Sequence, residues 1–192
     1  MLRLFFRILR KIRGVCERLQ QHLQMIEWRA LYAARFSSCK SFARGRLFGL
    51  YFDASASRVT IGSAVHFRDN CQIRSGMDGV LTIGNRVFFN NHCSITCFHS
   101  IVIGDDCQFG EGVKFYDHNH QYRATGIPIN QQGYSIGSIK IGNNCWMGSN
   151  VVVLKNVEIG DNVVIGAGCI VHKSIPSNTV VIHKNEQIYT FR

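Results

Sequence analysis

From Ile141 onward the apolar positions recur every six residues, and each six carries a second inward-type residue four places after its start. The hexads read IGNNCW, MGSNVV, VLKNVE, IGDNVV, IGAGCI and VHKSIP. A period of six is neither the 3.6 of a helix nor the 2 of a simple strand. It predicts a solenoid in which each turn stacks on the last. Three short strands per turn imply a roughly triangular coil, rising by about 4.8 Å per turn.

The same phase is legible upstream, in IGSAVH-FRDNCQ-IRSGMD, IGNRVF-FNNHCS-ITCFHS and IGDDCQ-FGEGVK-FYDHNH. An excursion at 77–80 and a two-residue slip at 101–102 interrupt it. The repeated Ile-Gly pairs predict corners at which Gly supplies a positive φ, with Asn, Asp and Ser at the other corner positions.

Two stretches carry no such phase. Residues 121–138, QYRATGIPINQQGYSIGS, read as a loop thrown out from one corner. Near the start, Leu2, Phe5, Phe6, Leu9, Ile12, Cys16, Leu19, Leu23 and Ile26 follow helical spacing. The expected organisation is a basic amphipathic helical arm and joint over 1–57, a β-solenoid over 58–182 with an external loop at 117–138, and a tail at 183–192.

Charge separates arm from solenoid. The chain carries +10, and residues 1–50 hold 11 of its 22 Lys+Arg but only 2 of its 12 Asp+Glu. The repeats are therefore close to neutral, and the basic partner surface belongs to the arm. Its apolar runs are too short for a transmembrane helix or a signal-peptide core. Two readings follow. The arm lies on an anionic membrane surface through residues 1–30, which the cations among its first thirteen residues favour. Alternatively, it packs on the solenoid or on another subunit. Nucleic acid is not expected, because no reader motif accompanies the basic patch.

Eight Cys raise the question of disulfides or zinc. However, Cys71, Cys93, Cys107, Cys145 and Cys169 all fall four places after a hexad start, where Val otherwise stands. They are expected to be small buried hydrophobes. Reduced thiols point to the cytoplasm, and the arm to the inner face of the cytoplasmic membrane.

His118 and His120 stand out as candidate chemistry. They lie in YDHNH, where the third coil ends and the long loop begins, and loops projecting from a rigid scaffold are where sites concentrate. A neutral imidazole can take a proton near pH 7. Asp117 adjoins His118 but is expected to point the other way on an extended chain.

These hexads, the loop following a His, and the run NNCWMGSNVVV…VEIGDNVVIGAGCIV resemble the hexapeptide-repeat acyltransferases, in particular the galactoside, maltose and bacterial polysaccharide O-acetyltransferases. The resemblance covers about residues 59–178. It implies a left-handed parallel β-helix, a handedness contrary to the usual right-handed parallel crossover. It also implies a homotrimer with sites between subunits and acetyl-CoA as donor. The acceptor would be a hydroxyl of a bacterial polysaccharide or lipid-linked sugar, attacking directly in a ternary complex.

Residue by residue, the resemblance puts the general base on His118, with His120 as runner-up. It puts an acceptor contact on Asn90, although an Asn at a solenoid corner can equally bond the backbone. Trp146 lines the acyl or acceptor pocket, or packs at a subunit contact. Ser149 and Ala167 present backbone groups to the pantetheine arm, and Lys173 stands near the nucleotide phosphates. His172 replaces the usual Thr. His183 and Lys184 stand where the adenine-end contacts are otherwise made.

Four other readings fit this kind of scaffold. These are N-acetyl transfer to an amino sugar, serine acetylation, a zinc gamma-type carbonic anhydrase drawing on His92, His99, His118 and His120, and a catalytically silent scaffold. The His-x-His spacing does not match the carbonic anhydrase pattern, and the resemblance implies no metal.

Overall fold

The computed structural model describes residues 2–38 and 42–182. A single helix, Leu2–Leu31, precedes a left-handed parallel β-helix of about six turns. Its first face stacks Phe36–Ser38, Arg58–Ile61, Val80–Ile83, Ser100–Ile103, Ser138–Ile141 and Val157–Ile159 in that order. A second face begins at Ala43–Arg44 and ends at Val180–Val181, and a third runs from Gly49–Phe52 to Ile170–Val171.

Pairing within each face is parallel and in register. Val59 aligns with Leu81, Leu81 with Ile101, Ile101 with Ile139 and Ile139 with Val157. All five inward residues are buried, as the hexad phase requires. Cys71, Cys93, Cys107, Cys145 and Cys169 are likewise buried and free.

Two details differ from the sequence reading. First, the stack begins before residue 58. Phe36 pairs with Val59, Ala43 with His66 and Leu50 with Ile73, so the expected joint forms the first coil. Its sequence has no hexad phase because its core comes from aromatic side chains. Trp28 of the helix, 6% exposed, meets Phe36 and Phe48 at 6.3 and 5.8 Å between ring centroids and closes the open end of the stack. From there a column of rings descends the core, with Phe48–Phe67 at 4.9 Å, Phe67–Phe89 at 4.3 Å and Phe89–Phe109 at 4.8 Å.

Second, the glycines of the Ile-Gly pairs do not supply the positive φ. That conformation falls one place before the second inward residue of the hexad, as at Asn144, Asn150, Asn156 and Asn162, with φ between 54° and 61°. Asn tolerates this region better than other non-glycine residues. The paired glycines are needed for closeness instead. A Cβ on Gly62 would lie 2.4 Å from the Gly84 carbonyl oxygen, and one on Gly104 would lie 2.6 Å from that of Gly142. Corners of successive coils touch backbone to backbone, and a side chain there would hold the coils apart.

The expected loop at 117–138 leaves the stack as a short antiparallel hairpin. His118–His120 pairs with Tyr134–Ile136, and a 3-10 turn, Ile129–Gln131, lies between them. The tail, with His183 and Lys184, lies outside the described residues.

Because Phe89 sits mid-column with rings stacked above and below, Phe89→Ala should lower unfolding free energy by about 3–5 kcal/mol in denaturant titration. A loss under about 1 kcal/mol would mean that the ring column is not what holds the core.

Candidate active site

The hairpin springs from the corner between the third and first faces. Asp117 is the last residue before it and is completely buried. One coil above, the two-residue slip in the sequence has widened the same corner, so that three successive backbone N–H groups turn inward. Those of Phe98, His99 and Ser100 donate to the Asp117 carboxylate, with Phe98 at 2.8 and 3.0 Å from the two oxygens, His99 at 2.8 Å and Ser100 at 3.0 Å. Successive amides of this kind form a concavity suited to an anion.

The Asp117 carboxylate also meets His118, whose Nδ1 lies 3.2 Å from Oδ1. The expectation that Asp117 points away from His118 fails because Asp117 is at a bend, where the alternation of an extended strand is lost. Burial works against the ionised form of Asp117, but the hydrogen bonds from His118, from the Phe98 and His99 amides and from Cys97 outweigh it. They hold its carboxyl below the usual carboxylate range. Burial pushes the neighbouring Cys97 thiol up, so that it stays protonated.

Two rings fix the His118 plane. Phe98 stacks on it, with centroids 3.9 Å apart and planes 16° from parallel, and Tyr134 meets it edge-on at 5.4 Å. The imidazole is 14% exposed. With its proton on Nδ1 and donated to Asp117, the neutral ring presents the Nε2 lone pair. Nε2 makes no hydrogen bond among the described residues. The arrangement can accept a proton at Nε2 and stabilise the resulting imidazolium with a buried carboxylate. His120 lies further out on the hairpin, exposed, with its ring 4.6 Å from that of Tyr134.

Of the remaining expected site residues that the structure describes, all but Trp146 and His120 divide between two corners. Asn90, Ser149 and Ala167 share the corner between the second and third faces. There Asn90 Oδ1 accepts from the Asn91 amide at 2.9 Å and from the Arg68 guanidinium at 3.4 Å. In lower coils the Ser149 carbonyl accepts from the Gly168 amide, and Ala167 packs against Gly148. His172 and Lys173 are exposed at the same corner as His118, two coils below it, as the Tyr116–Leu154 and Val153–Val171 pairings dictate. Trp146 stands on the second face, 55% exposed, between Gln108 and Val164. One chain therefore does not bring His118 together with Asn90, Ser149 or Ala167. His92 and His118 also lie on different corners, and no group of three ligand-type side chains converges among the described residues.

Comparison with known proteins places this geometry in context. Residues 138–173 match the bacterial transferase hexapeptide repeat (six repeats). The chain is 34% identical over 110 residues to WbbJ of Escherichia coli K12, named as a lipopolysaccharide biosynthesis O-acetyl transferase, covering 54% of this chain and 56% of that protein. It is 39% identical over 103 residues to the E. coli galactoside O-acetyltransferase, covering 51% and 47%. The chain thus spans about half the length of the curated relatives it matches. Among solved structures, the Bacillus cereus N-acyltransferase AntD in complex with dTDP and 3-hydroxybutyryl-CoA superposes with a TM-score of 0.63 at 17% identity, over 85% of this chain and 83% of that one. A hexapeptide-repeat containing acetyltransferase of Vibrio cholerae complexed with acetyl-CoA superposes with a TM-score of 0.52 at 21% identity, over 85% and 73%. These last two likenesses establish the shared fold.

The depressed carboxyl of Asp117 has a consequence for stability. A group whose folded pKa is lowered contributes stability above its unfolded value of about 3.9, and that contribution is lost as pH falls through the folded value. Melting temperature should therefore drop on acidification below about pH 4, and Asp117→Asn should flatten that limb. Parallel acid limbs in the two proteins would show that other carboxylates set it.

Proposed function

On the premise that this chain is a hexapeptide-repeat protein of the bacterial transferase type, we propose that it transfers acetyl from acetyl-CoA to a hydroxyl of a bacterial polysaccharide or lipid-linked sugar. The Asp117–His118 pair carries this reading, with its Nε2 lone pair at the root of a projecting hairpin. Nε2 takes the proton of the acceptor hydroxyl as its oxygen attacks the thioester carbonyl. The tetrahedral intermediate then collapses, the C–S bond breaks, and the proton passes from Nε2 to the departing thiolate. Asp117 holds the ring in the required tautomer and offsets the positive charge that develops on it. No covalent bond to the enzyme forms.

The names of WbbJ and of galactoside O-acetyltransferase support oxygen as the acceptor atom. In this reading Ser149 and Ala167 offer backbone groups to the pantetheine arm. His172 and Lys173 face the phosphates, a natural place for a cation. Asn90, His120 and Trp146 contact the acceptor. Because Asn90, Ser149 and Ala167 lie at one corner of the stack and His118, His172 and Lys173 at another, the complete site is formed in a homotrimer, where a corner of one subunit faces a different corner of the next.

His118→Ala should lower kcat by about 10²–10⁴, while acetyl-CoA still raises the melting temperature of the variant. Near-normal turnover on hydroxyl acceptors would refute the role of His118. Transfer to amino but not hydroxyl sugars would move the reading to N-acylation.

The arm belongs to the same proposal. No helix among the described residues is long and apolar enough to cross a membrane. Gln24, Met25 and Trp28 turn toward the solenoid. Leu9, Ile12, Val15, Leu19, Leu23 and Ile26 are all exposed. At about 100° per residue, Ile12 lies roughly 160° around the helix from Trp28. The helix thus packs on its solenoid through Trp28 and Met25, while its apolar stripe points away from that body and is left for a bilayer or another subunit. Cations at 3, 7, 10, 11 and 13 with no acidic residue before Glu17 suit an anionic bilayer. The enzyme would then sit as a peripheral protein on the cytoplasmic face.

Sedimentation with phosphatidylglycerol vesicles should pull down the wild-type protein, and Ile12→Glu with Leu19→Glu should abolish this without changing the melting temperature. Equal pelleting of both would sink the membrane role of the stripe.

A further inference from the structure

The space beneath the external loop holds cations that no carboxylate neutralises. It is a cavity of about 720 Å³ between the outer hairpin and the next coil down. Its walls present amide and hydroxyl groups from Asn119, Gln121, Gln131 and Ser135, together with the cations of Arg123 and Lys155, and none of its lining residues is Asp or Glu. Lys155 is half-buried, and its Nζ donates to the Ser135 hydroxyl. Neither Lys155 nor Arg123 forms an ion pair among the described residues.

Several other cations of the solenoid have carboxylate partners, whereas half-buried Lys114 donates to the Gly112 carbonyl instead. Arg46 pairs with Asp69, Arg74 with Asp53, Arg86 with Asp106 and Lys140 with Glu158, each more exposed than Lys155. A cation withdrawn from water beside a neutral hydroxyl has given up hydration without gaining a counter-charge, a cost that an anionic ligand would offset. The amides around it suit the hydroxyls of a sugar, since each can donate and accept.

We propose that this cavity is the acceptor subsite for an anionic glycan, and that Arg123 and Lys155 bind a carboxylate or phosphate on it. The inference rests on the acetyl-transfer reading above and narrows its substrate class. His120 lines the cavity, and the Tyr134 ring separates it from His118, at 4.6 Å from His120 and 5.4 Å from His118. The anchored charge therefore belongs to a unit adjoining the sugar whose hydroxyl reacts. The subsite selects a charged, extended acceptor over a free neutral sugar.

The test compares an oligogalacturonate of four units, maltotetraose and glucose 1-phosphate, by calorimetric binding and by turnover with acetyl-CoA. At low ionic strength at least one anionic ligand should bind about tenfold or more tighter than maltotetraose, since a charge-assisted bond is worth at least a factor of ten. The preference should shrink at high salt. Its ratio should fall about tenfold in Arg123→Gln and again in Lys155→Gln. Preference for the uronate identifies a carboxylate, and preference for glucose 1-phosphate identifies a phosphate. Equal affinity for charged and neutral ligands overturns the proposal. So does a variant that keeps the sugar preference but loses discrimination between CoA and dephospho-CoA, because the cations then serve the nucleotide. A charge preference in binding with no acetyl appearing on any acceptor would sink the transfer reading and leave the subsite standing.

Discussion

Everything in this protein depends on one coil lying on the next at strand spacing, with its strands paired to the coils above and below. The parallel ladders along three faces satisfy the amides and carbonyls of the strands. The corners must then turn within a few residues without pushing the coils apart. A residue in the left-handed region, Asn at half of the non-glycine positions, makes the turn, and Gly at the touching point lets the backbones meet. Inside, the ring column from Phe48 to Phe109 and the aliphatic ladders below it remove the inward residues from water. Neither the corners nor the column works alone. An overlarge corner would separate the ladders, and an unfilled axis would leave them without a core to pack on.

The Asp117–His118 pair grows out of a controlled breach of that regularity. Two extra residues widen one corner and turn the amides of Phe98, His99 and Ser100 toward the axis. A carboxylate one coil below neutralises those dipoles and in doing so becomes rigid. The chain bends at Asp117 and leaves the stack, which carries His118 into contact with the same carboxylate and beneath the Phe98 ring. The repeat thus provides a stiff frame, and each irregularity places one component of the site. The same departure creates the hairpin whose lower side covers Lys155.

The helix has two unlike sides. Trp28 and Met25 seal the open end of the solenoid, which would otherwise expose the Phe48 layer. The opposite side of the helix keeps its apolar stripe outward, among cations. A cap alone would need only the first of these, because an amphipathic helix normally buries its apolar stripe against the body it covers.

By itself the sequence determined whatever repeats. The six-residue phase specifies which side chains point inward, removes the hexad cysteines from the list of reactive groups, and marks the break after His118 as the place to look for chemistry. It does so because in a solenoid the neighbours of a residue lie one fixed turn away. Only the tertiary structure decided what lies off that period. Asp117 partners His118 because a bend cancels strand alternation. The first coil forms from Phe36–Ser38, Ala43–Arg44 and Gly49–Phe52 because aromatic packing against Trp28 replaces the hexad pattern there. The Ile-Gly glycines are needed for inter-coil approach, which one coil's sequence cannot report. Phe98 and Tyr134 reach His118 from another coil and from the far strand of a hairpin, at separations that the insertions had reset.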